Sequence, residues 1–371
     1  MLDPFQFAGP VLRSLPPETA HRLAIHAMRL GLAFPENEAS DPILACEHWG
    51  LKFANPIGLS AGFDKDAEVM GAALRLGFGF TEAGTVTPLP QPGNPKPRLF
   101  RLTEDQAVIN RLGFNNGGLT RFAVRFARLD RSAPKGPAGA NIGRNSSTEE
   151  KSAIADFEIA TEVLAGLVDY LVINISSPNT PGLRGLQQRG RLEELIGRCV
   201  EARARGMRSD APPPPLLVKI APDLDESAKR DIAELALEAN IAGLIVCNTT
   251  IDRPTTLKSQ FRNEAGGLSG APIFDCARNF VAHMYRLTDG RIPIIGCGGI
   301  GSGDDAYAMI RAGASLVQLY SALVFEGPAL VSRIKKQLAE RLRGDGFACI
   351  EAAIGVDHCK TASARARINI K

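Results

Sequence analysis

Tyr170-Leu171-Val172-Ile173-Asn174-Ile175-Ser176-Ser177-Pro178-Asn179-Thr180-Pro181 changes character halfway along its length. The first half is a short apolar run rich in β-branched residues. The second is polar and bounded by prolines, so the stretch reads as a buried strand running into a loop. Asn174, Ser176, Ser177, Asn179 and Thr180 supply amides and hydroxyls that donate and accept without charge. Pro178 and Pro181 stiffen the loop, because each fixes its own φ and restricts the residue before it. A rigid array of neutral donors at a strand end suits a flat, amide-rich ligand. An ordinary Asn/Ser/Pro turn accounts for the same residues with no ligand.

The same alternation of buried strand and periodic helix runs outward in both directions. Strands are expected at 56–61, 80–85, 139–142, 170–175, 216–220, 243–246, 293–297 and 316–320. Between and after them, helical periodicity covers 67–76, 119–128, 152–167, 193–207, 227–239, 271–287, 302–312 and 329–342. Strands alternating with helices make a parallel sheet with right-handed crossovers. This number of units in roughly 300 residues is that of an α/β (β/α)8 barrel of the TIM type. A doubly wound open sheet is the alternative. Against it, Ser60-Ala61-Gly62-Phe63-Asp64-Lys65 follows the first strand, where that fold carries GxGxxG. Residues 49–55 form a candidate hairpin closing the barrel bottom.

Ahead of the barrel, residues 1–40 stand apart as a small N-terminal helical segment, with 41–371 as the barrel. Pro4, Pro10, Pro16 and Pro17 cut the opening into two pieces. The second, Glu18 to Phe34, reads as a helix begun by Pro17. Leu23, Ala27, Leu30 and Phe34 share one stripe, and Arg22 and Arg29 lie on the other side. Such a helix suits a membrane interface, or it packs its stripe on the barrel. Pro35-Glu36-Asn37-Glu38 reads as a linker.

The 371 residues carry a net charge of +3 and are 44% hydrophobic, an ordinary globular balance that argues against nucleic acid as main partner. Seven dispersed cysteines without a CxxC pair point to reduced thiols and no metal site. No run approaches the roughly 18 apolar residues of a membrane span. Neither a secretory signal nor an Arg-rich presequence opens the chain, which favours a bacterial protein of the cytoplasmic side; a processed chain would read the same.

Polar and glycine residues gather at the carboxyl ends of the strands, where such a barrel places its active site. They are 61–65, Thr85, Asn141, Asn174 with Ser177, Lys219, Asn248-Thr249-Thr250, 296–301, and Tyr320-Ser321. Cys297-Gly298-Gly299-Ile300-Gly301-Ser302-Gly303-Asp304 follows the seventh strand and opens a helix, a candidate phosphate loop. Gly266-Gly267-Leu268-Ser269-Gly270 offers a second glycine loop beside it. The plain alternative is that Gly301 and Gly303 shape a turn while Ser302 caps the helix.

Six segments together carry a specific resemblance: residues 61–65, Asn110-Arg111-Leu112-Gly113-Phe114-Asn115, 174–180, Val218-Lys219-Ile220-Ala221-Pro222-Asp223, 266–270 and 298–300. They resemble the dihydroorotate dehydrogenases, and more narrowly the membrane-associated, quinone-dependent class 2 branch. The resemblance extends from 17–22 to about Gly355-Val356-Asp357-His358 and leaves the basic tail 359–371 without a role.

The resemblance implies oxidation of dihydroorotate to orotate in pyrimidine biosynthesis, with one FMN per chain as hydride acceptor and a membrane quinone as electron acceptor. By motif position, FMN would meet Ala61, Gly62, Lys65, Thr85, Asn141, Asn174, Lys219, Gly270, Gly299, Tyr320 and Ser321. Cys247 takes the place of a family threonine there. The substrate pocket would be Lys65, Asn110, Arg111, Leu112, Gly113, Phe114, Asn179, Asn248 and Thr249. Ser177 matches the class 2 base, where class 1 has cysteine. Serine is a poor base on physical grounds, so Thr180 with a water is the candidate relay. Lys219 would stabilise anionic reduced flavin. His21, Arg101 and Tyr320 match the quinone route. The location implied is peripheral, on the cytoplasmic side of the inner membrane. Two rivals remain at this point, an aldolase-type barrel with Lys219 as Schiff-base lysine and a silent phosphate-binding or membrane-scaffold barrel.

Overall fold

The computed structural model describes residues 5–32, 39–130, 136–207, 211–239 and 241–358. Phe34, the expected linker 35–38 and the tail 359–371 lie outside them.

Two helices open the chain, α1 (Phe5–Ser14) and α2 (Pro17–Arg29). A hairpin follows, β1 (Cys46–His48) and β2 (Leu51–Phe53). Its turn is Trp49-Gly50, both at positive φ, as a two-residue hairpin turn requires. The expected hairpin is therefore present, but Trp49 is its turn and its first strand starts at Cys46. Trp49 Nε1 donates to Ala242 O at 2.6 Å, and Phe53 meets Phe80 edge-on at 5.5 Å. These contacts seat the hairpin against the barrel.

The barrel is closed and built of β3 (Ile57–Leu59), β4 (Phe80–Val86), β7 (Ala138–Ile142), β8 (Tyr170–Asn174), β9 (Leu216–Ile220), β10 (Gly243–Val246), β12 (Ile294–Cys297) and β13 (Leu316–Leu319). All neighbours are parallel. Nearly every strand residue is buried, since one face meets the interior and the other the helices; hence the continuous apolar runs. The helices are α3 (Met70–Arg75), α4 (Leu119–Phe126), α5 (Ala153–Leu164), α6 (Arg189–Gly206), α7 (Glu226–Glu238), α8 (Phe274–Leu287), α9 (Gly303–Arg311), α10 (Ser321–Glu326) and α11 (Leu330–Gly344). Helix α3 begins three residues later than its periodicity predicts. Ala67 sits at φ 54°, and the buried Asp64 carboxylate accepts from the amides of Glu68 and Val69 at 2.8 and 2.7 Å, holding that turn out of the helix.

A second sheet lies apart from the barrel: β5 (Leu99–Leu102), β6 (Ala107–Asn110) and β11 (Gly267–Gly270), all antiparallel. The expected glycine loop at 266–270 is thus an edge strand. A Cβ on Gly267 would fall 1.9 Å from Thr249 Oγ1, and one on Gly270 2.4 Å from Gln106 O. The glycines are demanded by close packing.

The N-terminal helices lie against the strand-tip side. Arg98 is buried and pairs with Glu18 at 2.8 Å; Arg29 pairs with Glu68 at 2.9 Å; His21 Nε2 contacts Phe63 O at 2.8 Å. Helix α1 runs through Pro10, forfeiting one intrahelical bond, and the two pieces part at Pro16-Pro17. Helix α2 stops at Arg29, short of the expected Phe34, and Gly31 follows at φ 72°.

Candidate active site

One cavity of about 310 Å³ joins the strand tips to the N-terminal helices. Of the expected cofactor residues, Ala61, Gly62, Lys65, Thr85, Asn174, Lys219, Cys247, Gly270, Gly299, Tyr320 and Ser321 all line it. So do Ser177 and the expected substrate residues Lys65, Asn110, Leu112, Gly113, Phe114, Asn179, Asn248 and Thr249. His21, Arg101 and Tyr320 line it as well, on the side of the helices.

Three expected residues do not line it. Asn141 lies one layer behind, bonded to Thr85, Asn174 and Glu82. Arg111 turns its guanidinium away, to Glu264 at 2.8 Å and over the Phe100 ring at 4.6 Å. Thr180 is buried in the loop, where its carbonyl accepts from Leu183 N at 3.2 Å.

At the floor, Lys219 reaches from β9 across the interior. Its Nζ donates to Ser60 Oγ at 3.2 Å, and Ser60 Oγ lies 3.7 Å from Cys297 Sγ. No carboxylate of the described residues pairs with Lys219, so its charge is free to meet an anion. Lys65 donates to Gly62 O at 2.8 Å. Burial pushes its ammonium down to about 8, with Glu18 and Asp66 pulling the other way. Ser177 Oγ accepts from the amide of Asn179 at 3.2 Å, which pins the oxygen and leaves its hydrogen for another partner. Asn179 Nδ2 donates to Asn110 O at 3.1 Å, tying the loop after β8 to the tip of β6. Arg184 ties the same loop from outside, donating to Ser176 O at 3.1 Å while pairing with Asp223 at 2.9 Å.

The glycine turn after β12 works differently from its sequence reading. The start of α9 is already capped. Ser302 Oγ accepts from Asp305 N at 3.1 Å, Asp305 Oδ2 accepts from Gly301 N at 3.0 Å, and Gln337 Oε1 accepts from Gly303 N at 2.8 Å. The Ser302-cap alternative therefore holds, and that helix end is not the anion site. The amides of Gly298, Gly299 and Ile300, by contrast, donate to no described residue. Gly298 and Gly299 have φ 131° and 74°, and a Cβ on Gly299 would fall 2.6 Å from Phe274 N. Unpaired amides on a glycine turn are an arrangement suited to an anion.

Toward the helices the lining becomes apolar: Pro17, Ala20 and Ala24 of α2 with Phe5 and Leu12 of α1. The stripe marked in the sequence by Leu23, Ala27 and Leu30 is not this one. Leu23 and Leu30 are 48% and 69% exposed on the outer side, with Phe7, Val11 and Leu32 also outward. Helix α2 is apolar on two sides, so a single stripe did not describe it. His21 is pushed down to about 3, first by burial and then by the Lys65 charge, and stays neutral. Arg101 donates to Arg13 O, while its buried Nε has no partner among the described residues.

Sequence reasoning missed Ser60, Glu82, Gln318, Arg98 and Arg184. Only Glu82 carried a readable signal, a lone carboxylate inside the expected strand 80–85.

This fold and site define a (β/α)8-barrel enzyme with a cavity that runs from polar strand tips to a helical cap. The family profile described as Dihydroorotate dehydrogenase matches residues 43–342, and the chain belongs to that family, in its class 2, quinone-dependent branch. It is 56% identical over 361 residues to the dihydroorotate dehydrogenase (quinone) of Rhodospirillum rubrum, covering 96% of each chain. It is 48% identical to the mitochondrial one of Mus musculus, covering 93% of this chain and 88% of that one. A DHODH from Eimeria tenella, solved in complex with ferulenol, superposes with a TM-score of 0.88 at 42% identity, covering 92% of this chain and 96% of that one. The aldolase and scaffold readings fall with this assignment.

Proposed function

We propose that the chain oxidises dihydroorotate to orotate in pyrimidine biosynthesis, using bound FMN and passing the electrons to a membrane quinone. The observation that carries this reading is the continuity of one cavity from Lys219 and Ser177 to Ala20 and Ala24 of α2. A soluble acceptor needs no apolar passage, whereas a lipid-borne one does.

The residues present fit a phosphorylated flavin. The free amides at Gly298, Gly299 and Ile300, with Ser321 and Gly270 beside them, suit its phosphate. Thr85, Asn174 and Lys219 suit the polar edge of a flat ring, with Asn141 acting from behind. Bound there, FMN supplies a two-electron hydride acceptor. The chain does the rest. Lys65 and the asparagines 110, 179 and 248 hold the substrate carboxylate and ring amides, with 112–114 and Thr249 closing the pocket. Arg111 stands behind the pocket, its backbone bonded to Arg98 and Asn94 and its side chain to Glu264. Ser177 takes the proton from the substrate carbon, and Thr180 with a water carries it off. Lys219 supplies positive charge at the floor, where negative charge develops.

Residues 1–40 serve as the membrane and quinone segment and 41–371 as the catalytic barrel. No described helix is long and apolar enough to cross a membrane. The outward Phe7, Val11, Leu23, Leu30 and Leu32 instead support peripheral attachment; the side proposed is the cytoplasmic face of the inner membrane. His21, Arg101 and Tyr320 line the quinone route.

The test is the visible spectrum of the purified protein. A yellow flavin spectrum that bleaches on anaerobic dihydroorotate and recovers on adding quinone is expected. A colourless protein, or a flavin indifferent to dihydroorotate, refutes the assignment.

A further inference from the structure

Leu112, Gly113 and Phe114 form one wall of the cavity, and their backbone amides donate to no described residue. What aims these amides lies behind them. In a trans peptide the C=O of one residue and the N–H of the next point opposite ways. A segment that binds the carbonyls of 111–113 from outside therefore presents the amides of 112–114 to the cavity.

Residues 91–94 are that segment. Asn94 Nδ2 donates to Arg111 O at 3.0 Å, and the Asn94 backbone amide to Leu112 O at 3.0 Å. Gln91 Nε2 donates to Gly113 O at 3.0 Å and to Phe114 O at 3.1 Å. Four successive carbonyls are held from one side. The two side chains have no choice of direction, because their partners are backbone groups. Asn94 Nδ2 also meets Asn179 O at 3.3 Å, and both of its carbonyl partners can only accept. The Ser146 N–H can only donate, and it meets Gln91 Oε1 at 2.9 Å. The segment is itself anchored. Gln91 and Asn116 exchange backbone bonds at 3.1 Å, and the buried Arg98 donates to Pro92 O and Asn94 O at 2.6 and 2.8 Å. It runs so close to the wall that a Cβ on Gly93 would fall 2.2 Å from Leu112 O. Phe114 takes φ 53°, uncommon for an aromatic residue, and the bonds on its carbonyl hold it there.

We propose that Gln91 and Asn94 are positioning residues for the substrate: by holding four carbonyls outward they set the amides of 112–114 toward the substrate's oxygens. Neither side chain lines the cavity, so both act through the wall they brace. Asn94 also ties that wall to the carbonyl of Asn179, in the loop that carries Ser177. The inference rests on reading this wall as part of the dihydroorotate site.

The experiment compares the wild-type holoprotein with Asn94→Leu and Gln91→Met, which remove the donors with little change of shape and add no charge. Orotate affinity is read from the flavin spectrum on titration, and dihydroorotate affinity from the concentration dependence of anaerobic flavin reduction. Each variant should bind both ligands about ten- to a hundredfold more weakly, the size of a lost hydrogen bond to a charged group. Bound FMN and the rate of flavin reoxidation by quinone should stay at wild-type values, which a general loosening of the barrel would not allow. Wild-type affinity for orotate and dihydroorotate in either folded variant would overturn the proposal, as would a parallel loss of FMN and of reoxidation by quinone. If Gln91→Met does not fold, Asn94→Leu decides alone; where leucine is not tolerated, Asn94→Ser, too short to reach either carbonyl, decides in the same way. A wild type whose flavin dihydroorotate does not reduce refutes the substrate reading itself, which is a separate result.

Discussion

The floor and the mouth of the cavity are built from different materials. At the floor, Lys219, Ser60, Thr85, Asn174 and Ser176 come from strands or the two residues after them and are buried; Lys219 bonds to Ser60 at 3.2 Å, and Asn174 bonds to Thr85 and Ser176 at 2.9 and 2.8 Å. At the mouth, Pro17, Ala20 and Ala24 offer apolar surface on a helix tied down chiefly by Glu18–Arg98 and Arg29–Glu68. The Arg29–Glu68 pair is partly exposed, and such pairs contribute about 0–1 kcal/mol. A closed barrel holds reacting groups within the tolerance that proton and hydride transfer demand. The cap needs only to admit a lipophilic partner. The difference implies two separable half-reactions, one owned by each region.

Breaking the floor should stop the first half-reaction and leave the second untouched. The largest effect is expected for Ser177→Ala. FMN should stay bound while its reduction by dihydroorotate slows by about 10² to 10⁴, the usual cost of losing a proton-transfer group. Reoxidation of chemically reduced enzyme by quinone should keep its rate. Stopped-flow absorbance measures both, and near-normal reduction would remove Ser177 from its role.

A smaller and graded effect is expected from pH. Lys65 is held at about 8, so its ammonium is charged below that pH and lost above it. Only the charged form pairs with the substrate carboxylate. KM for dihydroorotate should therefore be flat below pH 8 and rise above it, approaching about tenfold per unit. Bound substrate raises the Lys65 value, so kcat should bend at higher pH than kcat/KM. KM for quinone should show no bend there. A dihydroorotate KM that stays flat from about pH 7 to about pH 9.5 would contradict the charge pairing.

The barrel was legible because its strands are buried on both faces and therefore read as apolar runs. Their polar tips then marked the active face. The second sheet was not legible, since Leu99–Leu102 and Ala107–Asn110 are short and carry Arg101 and Asn110. Its third strand, Gly267–Gly270, looks like a loop because its glycines answer to Thr249 and Gln106, which are remote in sequence. Arg111 was misjudged for the same reason; its partner Glu264 lies 153 residues on. The cap of α9 was readable, as Ser302 and Asp305 have capping spacing, but the glycines drew the reading toward phosphate. Two apolar sides on α2 cannot be ranked without knowing which one meets the barrel.

The division between floor and mouth is tested most directly by deleting residues 1–36 and measuring both half-reactions on the same preparation. Anaerobic reduction of FMN by dihydroorotate should remain nearly intact in a single turnover. Steady-state turnover with a long-chain quinone in vesicles should fall to background, while a small water-soluble acceptor still supports turnover. Full-rate reduction of the long-chain quinone by the truncated protein would contradict the account, leaving the helices a packing role alone.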